Sequence, residues 1–288
     1  MLNFLVNPHA FRGGNGSLID KLEKRLKARG VQFHIFKSEQ EGGIGKYARS
    51  LSAAGQTKFI AVGGDGTLNE MLSNLADPSV CEIGLIPAGT GNDFAAAAGI
   101  PKGIKALKFL FEGESSYVDY IECGSGRRSI NIVGLGMDVD ILTRRLRAHA
   151  AGKKMSYYSA LRASLKEYRG LKINVTVNGE TKEYNTMIAA VCNGSQFGGG
   201  IRICPPANIA DGKLGLVLVD YPEKHILREL FALLRGKLLN RKIARYIECT
   251  EVHIVPETSE SVQYDGEIYP TGSLYARVVS GKLRMFRG

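Results

Sequence analysis

Lys58-Phe59-Ile60-Ala61-Val62-Gly63-Gly64-Asp65-Gly66-Thr67-Leu68-Asn69-Glu70 decides how the rest of the chain is read. A short apolar run predicts a strand, the glycines a turn, and the residues after them a helix. Glycine at 63, 64 and 66 lets the backbone come close to a ligand. The amides and dipole at the start of the helix point at the same spot, so an anion would be held there, phosphate above all. Asp65 in the middle of the turn would repel a polyphosphate unless Mg²⁺ or positive groups stand between them. The loop therefore points to a nucleotide handled with a metal, and so to phosphoryl transfer. It lacks the Gly-Lys-Ser/Thr ending of a P-loop and the spaced glycines of a dinucleotide fingerprint. A tight strand-to-helix turn with a solvated aspartate is the plain alternative.

Outward from this stretch the first third alternates strand and helix. Leu2 to Val6, Val31 to Phe36, Lys58 to Val62 and Glu82 to Pro87 read as strands. Ser17 to Arg29, Ile44 to Ala54, the segment after Asp65, a short alanine helix after Asp93, and Ile104 to Phe111 read as helices. This alternation predicts an α/β domain, a parallel sheet with helices on both faces in three layers, whose ligands sit beyond the C-terminal strand ends. Two more polar glycine loops fall at such ends. One is Pro87-Ala88-Gly89-Thr90-Gly91-Asn92-Asp93-Phe94; the other is Asn7-Pro8 followed by Arg12-Gly13-Gly14-Asn15-Gly16.

After Ser116 the pattern changes. Tyr117 to Cys123 and Ser129 to Val133 read as paired strands around Gly124-Ser125-Gly126, and Asp138 to Tyr168 as a helical stretch broken near Gly152. Ile173 to Val177, Thr186 to Cys192, Leu214 to Val219, Val252 to Val255, Ser261 to Tyr264 and Leu274 to Val279 read as strands, and His225 to Arg235 as a helix. Asn178-Gly179 between alternating runs is a hairpin signal. The second part is mainly β, a sandwich or barrel. The boundary is expected near Tyr117, with an α/β domain over 1–116 and a larger β-rich domain after it.

The bulk numbers set limits. Of 288 residues, 44% are apolar, as in a soluble globular protein. Cys81, Cys123, Cys192, Cys204 and Cys249 are odd in number and lack metal-ligand spacing, so reduced thiols and a cytoplasmic location are expected. The first residues show no basic region and no long apolar core, so no signal peptide is expected, and no run approaches a membrane span. A net charge of +10 favours an anionic partner. With Trp absent and no aromatic-basic stacking pattern, a nucleic acid is not the expected one.

The pair of motifs Gly63-Gly64-Asp65-Gly66-Thr67-Leu68-Asn69-Glu70 and Ile86-Pro87-Ala88-Gly89-Thr90-Gly91-Asn92-Asp93-Phe94-Ala95 resembles the diacylglycerol kinase catalytic family, and within it the soluble bacterial lipid kinases. The first motif is shared with NAD kinases and loosely with phosphofructokinases; the second, close behind, is far more specific to lipid kinases. The resemblance implies an ATP-dependent kinase of a lipid hydroxyl, most simply diacylglycerol to phosphatidic acid, with an ATP-binding domain over 1–116 completed by 284–288, a lipid-substrate domain over 117–283, and the active site in a cleft between the two domains. Nucleotide contacts would fall on Asn7, Pro8, Arg12, Ser38, Gly63, Gly64, Asp65, Gly66, Thr67, Leu68, Asn69 and Thr90, and Asp65 and Asp93 would organise catalytic Mg²⁺.

Two later motifs extend the resemblance. In Pro206-Ala207-Asn208-Ile209-Ala210-Asp211-Gly212-Lys213-Leu214, the Asp211 carboxylate and the carbonyls of Asn208 and Lys213 match a structural Mg²⁺ site. Hard oxygen ligands on a tight turn suit that ion, although an ordinary Asp-Gly β-turn reads the same way. Asp119 matches an acid linking the metal's waters to the site. In Tyr264-Asp265-Gly266-Glu267 the resemblance makes Glu267 the general base; a hairpin turn with a solvent-facing acid is the alternative. Relatives carry Asn-Pro-x-Ser/Ala-Gly near the start, whereas here Phe11 stands in place of the glycine, and Ser38 stands for a threonine.

The resemblance also implies a homodimer and a substrate met at a membrane surface by peripheral association with anionic headgroups. Two basic stretches are candidates for that contact. One is Arg144-Arg145-Leu146-Arg147 with Lys153 and Lys154. The other runs from Arg235 through Lys237, Arg241, Lys242 and Arg245 after the stripe Ile226, Leu227, Leu230, Phe231, Leu234. For that stripe a core-facing role is the stronger expectation. The competing functions are an NAD kinase-like activity on a soluble nucleotide and a catalytically silent nucleotide- or lipid-binding regulator.

Overall fold

The structure, a computed structural model, describes residues 1–8, 16–40, 42–222, 224 and 226–287. The chain forms two compact units. The first comprises Met1–Tyr120, Ile209–Asp211 and the chain from Val279 onward; the second comprises Ile121–Asn208 and Gly212–Val278.

In the first unit, strands β1 (Leu2–Val6), β2 (Phe33–Lys37), β3 (Lys58–Gly63) and β4 (Glu82–Pro87) alternate with helices α1 (Gly16–Ala28), α2 (Gly43–Ala53), α3 (Asp65–Asn74), α4 (Asp93–Ala97) and α5 (Leu107–Glu112). The sheet order is β2-β1-β3-β4, all parallel. Phe59, Ile60, Ala61 and Val62 are all fully buried, because helices cover both faces of a parallel sheet and both faces of each strand must be apolar. α1 and α5 lie together, with the Arg29 guanidinium 4.9 Å from the centre of the Phe111 ring. α2 and α3 form a second pair, joined by Glu70 accepting from the Gly45 amide at 2.8 Å. The last residues return to this sheet: Arg284 and Met285 pair in parallel with Glu82 and Ile83.

The second unit is a sandwich. Its strands are the end of β5 (Ser115–Cys123), β6 (Arg128–Ser129), β7 (Ile132–Gly136), β8 (Leu171–Val177), β9 (Glu180–Thr186), β10 (Ile188–Cys192), β11 (Leu214–Val219), β12 (Ala244–Cys249), β13 (Glu251–Pro256), β14 (Val262–Tyr264), β15 (Glu267–Tyr269) and the first part of β16 (Leu274–Phe286). One antiparallel sheet runs β12-β11-β10-β7-β14-β15, and the other carries β16-β13-β8-β9. Their facing side chains, among them Val133, Val191, Leu216, Ile173, Val252 and Leu274, make the central core. The other face of the first of these sheets, with Ile188, Ala190 and Val217, is covered by α6 (Met137–Ala150), α7 (Tyr157–Glu167) and α8 (Ile226–Leu234). Alternate residues of β10 thus enter two different cores, which is why Ile188–Cys192 is buried throughout.

The α/β fold and the β-sandwich agree with expectation, and the differences are local. Thr186–Cys192 is not one strand. Glu180–Thr186 pairs with β8 across the Asn178-Gly179 turn, both residues at positive φ as a two-residue hairpin turn requires. Ile188–Cys192 then belongs to the other sheet. Thr186 makes the corner, its hydroxyl donating to the Ile188 and Val219 carbonyls at 2.9 and 2.8 Å. Nor is Ser129–Val133 one strand paired to β5: only Arg128 and Ser129 pair there, and from Ile132 the chain joins the other sheet. Strands β9, β12 and β15 escape a reading by apolar alternation because they are polar or short and lie at sheet edges.

Candidate active site

Asn7, Ser38, Gly63, Gly64 and the Ala88–Asn92 loop follow the C-terminal ends of β1, β2, β3 and β4, so the parallel sheet alone brings the sequence-selected residues to one edge of the first unit. Two glycine loops meet there backbone to backbone. A Cβ built on Gly89 would lie 2.5 Å from the Gly64 Cα, so Gly89 has no room for a side chain, and one built on Gly64 would lie a tight 3.1 Å from the Gly89 Cα. The Gly63 carbonyl accepts from the amides of Ala88 and Gly89 at 2.7 and 3.3 Å.

Asp65 completes the junction. Its carboxylate accepts from the Asp93 amide at 2.9 Å and the Phe94 amide at 3.0 Å, the first amides of α4. Burial pushes its carboxyl above the usual carboxylate range, against the opposing pull of the Asp93 amide. Asp93 is itself buried, and the two acids flank Gly91: a Cβ there would lie 3.2 Å from Asp93 Oδ2 and 3.3 Å from Asp65 Oδ2. Asn92, at φ 56, holds the loop's shape, accepting from the Gly89 amide at 3.0 Å and donating to the Gly89 carbonyl at 2.7 Å.

Around the first loop, Asn7 Nδ2 donates to Thr67 Oγ1 at 3.3 Å. Thr67 and Asn69 are buried; Leu68 is a core residue whose amide donates to the Gly64 carbonyl at 3.1 Å. The Ser38 hydroxyl donates to the Gln40 carbonyl at 2.6 Å. Pro8 follows Asn7, and Thr90 is exposed at the tip of the second loop. The N-cap of α3 is Gly64, which brings no side chain to the helix start, and Gly66, in the first turn, has nothing within 4 Å of a Cβ among the described residues. The site therefore offers a glycine-capped helix start and an open first turn where a phosphate would sit. Phe11 and Arg12 lie outside the described residues.

The sequence-selected magnesium residues are found on two segments. The Asp119 side chain is buried, and its amide donates to the Ile209 carbonyl at 2.6 Å, which ties β5 to the Ile209–Asp211 segment within the first unit. Asn208 and Asp211 are exposed, and Gly212 turns the chain at φ 73. Lys213 Nζ pairs with Glu248 at 2.7 Å. Among the described residues no three His, Cys, Asp or Glu side chains converge as a metal centre. A magnesium ion on this loop would draw on one carboxylate, carbonyl oxygens and water, a donor set that suits it.

Glu267 opens β15, directly across the β14–β15 hairpin from Tyr264. It is exposed, and the Tyr269 hydroxyl donates to its Oε2 at 2.5 Å, with the Arg127 guanidinium 3.8 Å from the centre of the Tyr269 ring. Burial, followed by the Glu267 carboxylate, raises the Tyr269 phenol to about 12, so it stays a donor. Asp265, left unassigned by the sequence, anchors this hairpin. It accepts from the amides of Ile130, Asn131 and Ile132 at 2.7, 3.0 and 2.9 Å. Burial lifts its carboxyl to about 6 against the pull of those amides.

Asp138, at the start of α6, is a second buried acid raised to about 6, chiefly by desolvation. Its residue type inside a helical run carried no sequence signal. Tyr269, two residues after Glu267, has the spacing that puts both on one face of a strand, a signal that was available.

Residues 1–123 match the family described as the diacylglycerol kinase catalytic domain, and residues 131–287 the family described as the YegS C-terminal NAD kinase beta sandwich-like domain. The probable lipid kinase YegS of Salmonella arizonae is 30% identical over 270 residues, 90% of this chain and 87% of its own length.

The chain belongs to the YegS family of lipid kinases.

A YegS-like probable lipid kinase from Enterobacter is 29% identical over 71% of this chain and 70% of its own length. In fold, the chain is similar to a diacylglycerol kinase from Bacillus anthracis, with a TM-score of 0.76 and 21% identity, covering 100% of this chain and 96% of the other. It is also similar to an NAD kinase from Archaeoglobus fulgidus solved with ATP, with a TM-score of 0.57 and 13% identity, covering 100% and 94%. Membership makes this YegS-family chain a kinase-type phosphotransferase whose acceptor is a hydroxyl group.

Proposed function

We propose that this protein transfers the γ-phosphoryl group of ATP to the primary hydroxyl of diacylglycerol, giving phosphatidic acid for phospholipid synthesis. The observation that carries the reading is the junction at the edge of the parallel sheet. Asp65 clamps the two glycine loops together, and α3 starts on a glycine with open space at Gly66 among the described residues. Asn7, Ser38, Gly63 to Asn69 and Thr90 would surround the nucleotide, with the phosphates at the α3 amides. Arg12 would add positive charge.

Such a transfer asks little covalent chemistry of the protein; positioning and charge neutralisation dominate. Glu267 takes the proton of the lipid hydroxyl as the new O–P bond forms and the bond to the ADP oxygen breaks. Tyr269 holds the Glu267 carboxylate in place. Magnesium, when bound, would neutralise phosphate charge beside Asp65 and Asp93, with a structural ion on Asp211, Asn208 and Lys213 next to Asp119. The full reaction draws on residues of both units, and we include a homodimer and peripheral, cytoplasmic work at a membrane surface in the reading.

An NAD kinase-like activity is disfavoured by the Gly89 to Phe94 motif and by relatives named as lipid kinases over 90% of the chain. A silent binder would have no need of a base held by its own hydroxyl donor. The test is labelled ATP offered in parallel with diacylglycerol, phosphatidylglycerol, a sphingoid base and NAD, with and without chelator. Label is expected in diacylglycerol and to vanish with chelator; label in NAD, or in none, would reject the proposal.

A further inference from the structure

The helix α8 was expected to bury its apolar stripe, and it buries half of it. Leu230 and Leu233 pack into the core beneath, whereas Leu227, Phe231 and Leu234 stand 69, 59 and 42% exposed. Their spacing of four and three puts them on one narrow face. Helical geometry sets Arg228 and Arg235 along one edge of that face, and the Arg235 guanidinium lies 5.7 Å from the centre of the Phe231 ring. From Lys224 to Arg245 the chain carries seven Lys and Arg and a single acid, Glu229, which is buried and held by Arg228 at 3.1 Å and Arg241 at 2.8 Å. Lys224, Lys237 and Lys242 are exposed, and a groove beside the helix is lined by Arg169, Lys224, Arg228 and Lys242.

We infer that this face of α8 is the surface by which the protein docks on a bilayer containing anionic lipid. Leu227, Phe231 and Leu234 enter the interface, and the cations beside them meet the headgroups. An apolar stripe edged with Lys and Arg is the composition of an interfacial helix. A second copy of the chain is the poorer occupant. Two-fold packing would set this patch against itself and bring its cations face to face, whereas an anionic surface complements them. Both basic stretches commit arginines to ion pairs, Arg144 with Asp140 and Glu167 and Arg245 with Asp220, but among the described residues the other stretch presents only Leu146 as an exposed large apolar side chain.

The inference rests on the lipid-kinase reading for its biological sense and is tested apart from it, without nucleotide. The full chain is sedimented with phosphatidylcholine vesicles lacking or containing phosphatidylglycerol. Binding is expected only with the anionic lipid. The double variant Leu227→Ser, Phe231→Ser should lower the partition coefficient about tenfold or more, and Lys224→Gln, Lys237→Gln, Lys242→Gln should abolish the dependence on anionic lipid. Both variants should keep wild-type thermal unfolding and wild-type transfer to diacylglycerol in detergent micelles.

Binding that ignores anionic lipid, or that survives the Leu227 and Phe231 substitutions, overturns the inference. So does a change from dimer to monomer in those variants, by analytical ultracentrifugation, with vesicle binding intact. A wild-type protein that docks yet transfers nothing in micelles would instead reject the kinase reading.

Discussion

At the scale of single residues, three acids do different work. Glu267 is exposed on a strand and held by one phenol, so Glu267→Gln should unfold as wild type does and lose about 10²–10⁴ of kcat. Tyr269→Phe should lower kcat by a smaller factor with KM for ATP unchanged, because it frees the carboxylate without removing it. Equal kcat in Glu267→Gln and wild type would withdraw the base assignment. Asp138 is a matter of stability. Its folded pKa of about 6 lies above the ordinary 3.8, so the fold favours the protonated form. That contribution is present below about pH 4 and is lost as pH rises through 6, a change on the order of 3 kcal/mol. Urea midpoints of wild type should therefore fall relative to Asp138→Asn between pH 4 and 7; parallel curves would count against this assignment of the titration. Asp265 shares that direction, but three amides depend on its two oxygens, so an amide in its place would break the hairpin anchor.

At the scale of elements, the two glycine loops and the start of α3 form the working unit, and two glycines in it separate packing from binding. Gly89→Ala would drive a Cβ to within 2.5 Å of the Gly64 Cα, so the loops must part; a loss of about 1–3 kcal/mol is expected in thermal or urea unfolding. Gly66→Ala meets open space inside a helix, where alanine is the better residue. It should leave stability unchanged or raised while KM for ATP increases, because the methyl group enters the space a phosphate would fill. An unchanged KM would remove the α3 tip from the phosphate site. These loops were legible in the chain because strand, glycine turn and helix follow one another within a dozen residues. The clamp of Asp65 on the Asp93 and Phe94 amides was not, since it joins positions 28 and 29 residues apart. α8 shows the converse: its period was plain, but which apolar residues face inward depends on what lies beneath the helix.

At the scale of the whole molecule, the chain's last strand serves both units. The first part of β16 pairs with β13, and Arg284 and Met285 extend the parallel sheet beside β4. Leu283, Met285 and Phe286 are buried, and Arg284 reaches Glu82 at 3.2 Å. Deleting the residues after Ser280 should uncover the β4 edge and cost several kcal/mol, at about 1.5–3 kcal/mol for each buried apolar side chain. Limited proteolysis should then cut the first unit before the second; equal protection would contradict this. Among the described residues no helix is long and apolar enough to cross a membrane. What the sequence determined alone was everything encoded by neighbours along the chain: the β/α alternation, the glycine turns, the Asn178-Gly179 hairpin and the two motifs of a lipid kinase. Only the tertiary structure decided the corner at Thr186, the pairing of the last strand, the anchoring by Asp265 and the exposed half of α8. The physical reason is that period and turn chemistry are local, while burial, amide partners and the choice of sheet are set by residues brought near only when the chain has folded.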